Sequence, residues 1–170
     1  MEQHVILRKD LSEGDLLLLI RWMANEHVYQ FLNEHQQISS QLKQVYDARL
    51  PVFTPLFNRN GPFYILCTGD NQPIGFLRMA HAPDNAVEMV VAIGEKAMWG
   101  QGYGRAILAE AEKIAFFDLR REKMIARIYN ENARSRQMLM GCEFKPGQVR
   151  GRMTEYQLTF SEYLQQRRRS

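Results

Sequence analysis

Three glycines at alternate positions mark the segment of this chain with the clearest chemical potential. They lie in the run Trp-Gly-Gln-Gly-Tyr-Gly-Arg-Ala at residues 99–106, directly after an apolar run and directly before an amphipathic stretch. Alternate glycines let successive backbone N–H groups converge on one point, and a helix N-terminus adds unpaired donors and a partial positive charge. The segment therefore predicts an anion cradle, most plausibly for phosphate. A purely structural turn into a helix gives the same pattern, so the rest of the chain must separate the two.

The composition fits one globular domain and argues against several classes of protein. The 170 residues are 45% hydrophobic and 24% charged, which suits a single compact domain. No apolar run approaches the roughly 20 residues that a membrane span needs. The net charge of +3 is too small to indicate a nucleic-acid-binding protein. Because the N-terminus lacks a secretory pattern, we expect a cytoplasmic protein. We also expect a monomer or homodimer that binds neither membrane nor nucleic acid.

Cysteine and histidine usage argues against a disulfide framework and against a metal site. Cys67 and Cys142 are the two cysteines, and we expect both thiols to be reduced. The four histidines form no cluster with them at a spacing typical of metal ligands, so no metal is expected. The most basic run, residues 167–169, lies at the C-terminus, where we expect a frayed, solvated end.

Apolar periodicity and turn-forming residues predict a mixed α+β fold. Ser12 and Asp15 have the spacing of a capping box, and Gly-Asp-Asn-Gln-Pro at residues 69–73 predicts a tight turn between strands. Strands are expected at residues 5–8, 63–68, 74–80, 87–93, 123–129 and 155–160. Helices are expected at residues 15–24, from 39 or 40 to 50, at 104–117 and at 133–140. An antiparallel meander then leads into a β-α-β-α-β arrangement, with the glycine segment at its strand-to-helix junction.

Two motifs resemble those of the GNAT N-acetyltransferase superfamily, particularly its branch of ribosomal-protein and polyamine acetyltransferases. The first is Ile-Gly-Glu-Lys-Ala-Met-Trp-Gly-Gln-Gly-Tyr-Gly at residues 93–104; the second begins with Asn-Ala-Arg-Ser at residues 132–135 and ends at Phe144. The resemblance implies a mixed central sheet of about six to seven strands flanked by about four helices, in one domain. Residues 1–85 would form mainly the acceptor side and the meander, and residues 86–145 the acetyl-CoA-binding half.

The resemblance implies acetyl-CoA as co-substrate. The loop would hold its phosphates, while the backbone of the preceding strand and one asparagine would hold its pantetheine arm. The implied residues are Gly100, Gln101, Gly102, Tyr103, Gly104 and Arg105 in the loop, Val91, Ala92 and Ile93 on the strand, and Asn132. Trp99 stands where the family usually has glutamine or arginine, so binding would depend mainly on backbone N–H groups. Leu139 replaces the tyrosine with which many members protonate the departing thiolate.

Two polar residues are candidates for the proton transfers that aminolysis of a thioester requires. Glu88 lies within an apolar strand, where a lone buried carboxylate is costly, and some relatives carry a catalytic glutamate there. It is the candidate base or ammonium anchor, with an outward-facing glutamate as the alternative. Ser135 is the candidate acid by resemblance, with helix capping as the alternative, and water is a further candidate for both roles. For Asn132, the alternative to holding the pantetheine arm is a structural role in forming a turn.

Residues 21–28 resemble the acceptor-side opening of the same branch, so the acceptor is expected to approach over the end of the first helix and the segment that follows it. Trp22, Glu26, Tyr29 and Phe31 are the candidate acceptor-binding residues, and Glu34 is a further candidate partner for a cationic amine. For both glutamates the alternative is a solvated surface charge. The acceptor itself is expected to be a small-molecule amine or a peptide N-terminus.

Three functions follow from these patterns. The first is an acetyl-CoA-dependent N-acetyltransferase, in which a primary amine of a polyamine, an aminoglycoside-like molecule or a protein N-terminus attacks directly in a ternary complex. The second is a catalytically inactive CoA-binding module that acts as a sensor or interaction partner. The third, a nucleotide-binding domain, is disfavoured because the glycines do not read Gly-x-Gly-x-x-Gly and the chain has no Gly-Lys-Ser/Thr.

Overall fold

The fold is built on one mixed sheet of seven strands. A computed structural model describes residues 2–32, 35–52 and 54–169. The described strands lie in the order β1-β2-β3-β4-β5-β7-β6. Their bounds are β1 (Val5–Arg8), β2 (Phe63–Thr68), β3 (Pro73–Ala82), β4 (Ala86–Ile93), β5 (Lys123–Tyr129), β6 (Lys145–Arg150) and β7 (Met153–Thr159).

Helices cover both faces of the sheet. They are α1 (Glu13–Met23), α2 (Glu26–Tyr29), α3 (His35–Ala48), α4 (Thr54–Phe57), α5 (Tyr103–Lys113), α6 (Ala133–Gly141) and α7 (Phe160–Arg169). A 3₁₀ turn at Lys96–Met98 precedes α5, and a π-helical turn at Ile114–Asp118 follows it. Among the described residues no helix is long and apolar enough to cross a bilayer.

Two apolar clusters form the core, one on each face of the sheet. The first joins the sheet to α5, α6 and α7, and the second joins it to α1, α3 and α4. Side chains alternate along β4, so that Val87 and Met89 enter the first cluster and Val90 enters the second. Because both faces are covered, β4 reads as a nearly continuous apolar run.

The sheet opens between its two central strands. β4 and β5 are parallel, and they pair only where residues 86–88 meet residues 123–125, with Glu88 and Ile125 as the last pair. β4 continues to Ile93 with partners on β3, but residues 89–93 have no partner on β5. The backbone polar groups on this free edge of β4 are therefore available to a ligand.

The predicted fold class is confirmed, and the first helix begins where its capping box predicts. The Asp15 N–H donates to Ser12 Oγ at 3.2 Å, and the Ser12 N–H donates to Asp15 Oδ2 at 2.7 Å. The second predicted helix begins earlier than expected, at His35. The helix after the glycine segment ends at Lys113 as a regular α-helix, because the π-helical turn takes over there.

The C-terminal region departs most from the prediction. β6 was missed because it is exposed along its whole length and lacks the apolar alternation of a half-buried strand. The basic end is exposed, as expected, but it is not frayed, because residues 167–169 form the last turn of α7. The Arg167 guanidinium lies 5.1 Å from the ring centroid of Tyr163, over the first cluster. With α7 the described chain has five longer helices rather than the four expected.

Two buried carboxylates, one in each half of the chain, have pKa values shifted in opposite directions. Asp15 accepts hydrogen bonds from both terminal nitrogens of Arg8, at 2.6 and 2.7 Å. Burial alone would raise the pKa of Asp15, but the bonds from Arg8 and Ser12 together lower it. Burial raises the pKa of Glu112 on α5 to about 7, because Arg167, at 3.9 Å, offsets only part of the lost hydration.

Candidate active site

A cavity of about 570 Å³ opens where β4 and β5 separate. Its walls are the free edge of β4, the loop that leads into α5, the first turns of α5 and α6, and the segment around α2. A smaller chamber adjoins it and reaches towards β5, and the two share Phe31, Met89 and Ser135. Such a cavity has the size of a small-molecule binding site.

The loop before α5 has the backbone geometry of an anion cradle. Gly100 has φ +74° and Gly102 has φ +91°, a region that residues with a side chain rarely adopt. Gly102 is the N-cap of α5, so the N–H groups of the first turn lack acceptors within the helix. A Cβ on Gly104 would lie 2.7 Å from Sδ of Met138, so glycine there lets α5 and α6 approach closely. These features fit the phosphates of a coenzyme.

The side chains beside the glycines hold the loop in place. Trp99 Nε1 donates to the carbonyl oxygen of Ile93 at 2.8 Å, which ties the loop to the end of β4. The Gln101 side chain donates to the Ala97 carbonyl, and among the described residues Gln101 is not part of the cavity wall. The structure thus does not bring this predicted side chain to the site. The predicted loop residues that do line the cavity are Gly100, Gly102, Tyr103, Gly104 and Arg105.

The free edge of β4 and the start of α6 form the middle of the cavity. Val91, Ala92 and Ile93, the strand residues predicted to bind the coenzyme, all line it. Asn132 caps α6 by accepting the Ser135 N–H on Oδ1 at 3.3 Å, and its Nδ2 makes no hydrogen bond within the described ranges. Asn132 and Ser135 line both the cavity and its side chamber, so capping and ligand contact are compatible there.

Glu88 lies at the apex of the opening, behind the cavity wall. It is buried, and its Oε2 accepts a hydrogen bond from Arg127 Nη1 at 2.7 Å. Arg127 Nε lies 3.5 Å from Glu155 Oε2, so one guanidinium bridges carboxylates on β4 and β7. Arg127 lines the side chamber, whereas Glu88 is not among the described residues that line either space. Glu88 is thus a paired carboxylate one layer behind the surface that a ligand would touch.

The acceptor side is only partly as predicted. Phe31 lines the cavity, but Trp22, Glu26 and Tyr29 are not among the described lining residues. Trp22 is 2% exposed and its Nε1 donates to Glu95 Oε1 at 2.9 Å, so its assignment to the acceptor is corrected to a core role. Glu26 is an exposed residue of α2.

Trp22 also explains a nearby glycine. A Cβ on Gly94 would lie 2.3 Å from the Trp22 ring, so this glycine lets the indole lie flat against the end of β4. The predicted acceptor contact of Glu34 lies outside the described residues.

Several cavity residues were not among the predicted site residues. His27 and Gln30 lie on or next to α2, in the segment 25–38 whose polar and aromatic residues are typical of a pocket wall, but the sequence does not single out either residue. Met89, Met98 and Met138 line the cavity but read as ordinary core residues. The alternation of β4 carries a signal for one of them, because it places Met89 on the same face as Val87 and Val91.

A match to a family model identifies the family to which the chain belongs. The model described as "Acetyltransferase (GNAT) domain" matches residues 4–145. The chain belongs to the GNAT acetyltransferase family. The predictions of an N-acetyltransferase and of acetyl-CoA as co-substrate are confirmed at the level of this family. A comparison with curated protein sequences finds no significant match.

Solved structures share the GNAT fold at low sequence identity. Spermidine N-acetyltransferase from Vibrio cholerae, in complex with CoA and spermine, has a TM-score of 0.72 at 15% identity, over 94% of this chain and 98% of that one. The N-acetyltransferase PseH from Campylobacter jejuni, in complex with acetyl coenzyme A, has a TM-score of 0.65 at 14% identity, over 92% and 99%. A domain from Methanocaldococcus jannaschii DSM 2661 has a TM-score of 0.71 at 21% identity, over 94% and 100%.

Proposed function

We propose that this GNAT chain transfers the acetyl group of acetyl-CoA to a primary amine of a small molecule in a ternary complex. The observation that carries the proposal is the continuity of the cavity. One space joins the positive-φ loop before α5 to the segment around α2, along the free edge of β4. Donor and acceptor can therefore occupy it together. The acyl donor supplies an activated thioester, and the chain must bind, orient and manage protons.

The coenzyme end of the cavity depends mainly on backbone groups. The N–H groups from Gly100 to Arg105 would hold the phosphates, and the free edge of β4 from Val91 to Ile93 would pair with the pantetheine amides; the positive-φ N-cap of α5 and the end of the β4–β5 pairing support both assignments. The Ile93 carbonyl already accepts the indole N–H of Trp99, so pairing depends most on Val91, because alternate residues of a strand present their backbone groups to the same edge. Asn132 offers its Nδ2 as a donor for the arm.

The proton transfers involve residues at the two ends of the β4–β5 opening. Ser135 lines both spaces and is the proposed donor to the departing thiolate, with water as its substitute. Glu88 is the proposed acceptor of the amine proton, and because it lies behind Arg127 the proton reaches it through water. A Glu88→Gln variant with an unchanged pH–rate profile would remove Glu88 from this role.

The acceptor class rests on fold relatives and on the shape of the cavity. The V. cholerae relative is a spermidine N-acetyltransferase bound to spermine, so a polyamine is the first acceptor to test. Aminoglycoside-like amines and peptide N-termini are the further candidates, and the cytoplasm is the compartment that the sequence predicts. An inactive CoA-binding module is the second candidate function, because Leu139 stands where many members have the acid tyrosine.

Thiol release from acetyl-CoA tests the proposal. We expect CoA release above the hydrolysis background with at least one primary amine from a panel of polyamines, aminoglycosides and short peptides. The acetylated product should be identified by mass. If the chain binds CoA, yet no amine in the panel stimulates release, the inactive module replaces the enzyme as the conclusion.

A further inference from the structure

Trp99 and Arg134 meet across the coenzyme end of the cavity. Trp99 belongs to the loop before α5, and Arg134 is the second residue of α6, so they stand on opposite walls. The guanidinium carbon of Arg134 lies 5.6 Å from the centroid of the Trp99 ring, within the range of a cation–π contact. Both residues line the cavity beside Gly100 and Gly102.

The two partners differ in how firmly they are held. The Trp99 indole is fixed by its 2.8 Å hydrogen bond to the Ile93 carbonyl, and the residue is partly buried. Arg134 is exposed, and it forms no salt bridge with any residue in the described ranges. Among the described residues, the Trp99 ring is therefore its charge-stabilising contact, and no carboxylate competes with an incoming phosphate for the guanidinium. A cation–π contact at an exposed site is weaker than a charge-assisted hydrogen bond to phosphate.

We propose that Trp99 and Arg134 form a clasp across the coenzyme end of the cavity. A bound pyrophosphate draws the guanidinium away from the indole, while Trp99 keeps its place on Ile93. The clasp holds Arg134 near its ligand before the ligand arrives, so less side-chain freedom is lost on binding. This inference rests on the proposed coenzyme site and adds a side-chain contact to a cradle otherwise built of backbone groups.

The clasp makes tryptophan fluorescence a direct readout. The chain has two tryptophans, and Trp22 is 2% exposed in the core and is not among the described cavity-lining residues. A change in emission on adding CoA therefore reports the surroundings of Trp99. We expect such a change in the unmodified protein and no change in a Trp99→Phe variant that still binds CoA.

Calorimetric titration with CoA tests the role of Arg134. We expect Arg134→Ala to weaken CoA binding about tenfold, to lose the fluorescence change, and to show a shallower dependence of affinity on added NaCl. Arg134→Lys, which keeps the charge, should lose less affinity. Arg59→Ala removes an exposed arginine that does not line the cavity, and it should bind within twofold of the unmodified protein.

The outcomes separate this inference from the function on which it rests. If the unmodified protein does not bind CoA, the proposed function fails first. If CoA binds, but Arg134→Ala matches Arg59→Ala in affinity and salt dependence, or Trp99 emission stays constant, the clasp is wrong and the coenzyme site stands. Thermal unfolding of each variant shows that it is folded, and a folded Arg134→Ala protein with weaker, less salt-dependent binding supports the clasp.

Discussion

The two ends of the cavity differ in the groups that form their walls: backbone groups at one end and side chains at the other. At the end proposed for the coenzyme, the wall consists of the loop with Gly100 and Gly102 at positive φ and of the free edge of β4, so its shape follows from φ angles and strand pairing. At the acceptor end, side chains on and near α2, such as His27 and Phe31, form the wall. A backbone site leaves a trace in sequence because it requires glycine at fixed spacing, whereas many side chains can line a pocket. This difference explains why the co-substrate is easier to predict from the sequence than the acceptor is.

The largest expected effect lies in the coenzyme loop. Gly102→Val should weaken CoA binding by at least about a thousandfold in calorimetry, because a side chain at φ +91° forces the N–H groups of the cradle apart. Gly151→Val is the matched control, since Gly151 also has positive φ, +58°, but lies in the exposed turn between β6 and β7. Both variants should lose similar stability. If Gly102→Val bound CoA within threefold of the unmodified protein, the cradle would have to lie elsewhere.

The two halves should also respond oppositely to pH. The pKa of Glu112 in the coenzyme half is about 7 in the folded chain against 4.5 for the ordinary carboxyl, so the folded state binds the extra proton between these values. Stability therefore falls as pH rises from about 4.5 to 7. Glu112→Gln should raise the free energy of unfolding by up to about 3 kcal/mol at pH 8 and change little at pH 4.

Asp15 in the acceptor half provides the opposite case. Because its pKa is lowered in the folded chain, its contribution is present at neutral pH and is lost as pH falls below its ordinary value of 3.8. Asp15→Asn should therefore destabilise the chain at pH 7, and by less as the solution becomes more acidic. Urea unfolding at several pH values measures both variants. Parallel pH curves for the two would contradict the assigned ionisation states.

A smaller effect is expected where the two ends meet. Ser135→Ala should lower kcat about tenfold while the CoA dissociation constant stays within twofold, because a hydroxyl contributes as proton donor and water substitutes for it in part. Ser161→Ala, an exposed serine on α7, is the control and should leave kcat unchanged. A loss of CoA affinity in Ser135→Ala would instead assign the serine to the arm of the coenzyme.

The smallest effect is expected at the acceptor wall. Phe31→Ala should raise the acceptor KM about fivefold and leave the CoA dissociation constant unchanged, because it removes one apolar surface among several. Phe117→Ala removes a ring that is also exposed, but packs against α7, and should leave the acceptor KM unchanged. A matching rise in the CoA dissociation constant in Phe31→Ala would show that the two ends are not separable.

Sequence reasoning succeeded where local chemistry dictates the backbone. The capping box at Ser12 and the hairpin at residues 69–73 were predicted because turn and cap residues act within a few positions. The strand at residues 123–129 was also predicted. It failed where tertiary contacts decide. β6 has no buried face, and α7 is held by aromatic contacts such as Phe116 with Tyr163 that no short window reveals.

Val91 and Trp22 illustrate the same limit within the site: the position of Val91 could be predicted from the sequence, and that of Trp22 could not. The backbone of Val91 lines the cavity whatever its side chain is, so a strand next to a glycine loop suffices to predict it. Trp22 was assigned to the acceptor because residues 21–28 resemble the acceptor-side opening of the GNAT branch. Its burial depends on a glycine seventy-two positions later, Gly94, which leaves room for the ring. Glu88 shows the intermediate case, because the sequence left both a buried and an outward-facing carboxylate open, and its partner Arg127 on β5 was not predicted.

The short junction between β4 and β5 has a mechanical consequence. Among the described strands, β4 and β5 pair only through residues 86–88 and 123–125, while longer antiparallel ladders hold β1 to β4 together on one side and β5, β7 and β6 on the other. Where this pairing ends, the two strands diverge, and their divergence forms the cleft. In the proposed function, a pantetheine arm bound along β4 would make the backbone hydrogen bonds that β5 does not make with residues 89–93. Acetyl-CoA would then be a structural brace as well as an acyl donor, and amide hydrogen exchange near the junction would slow when it binds.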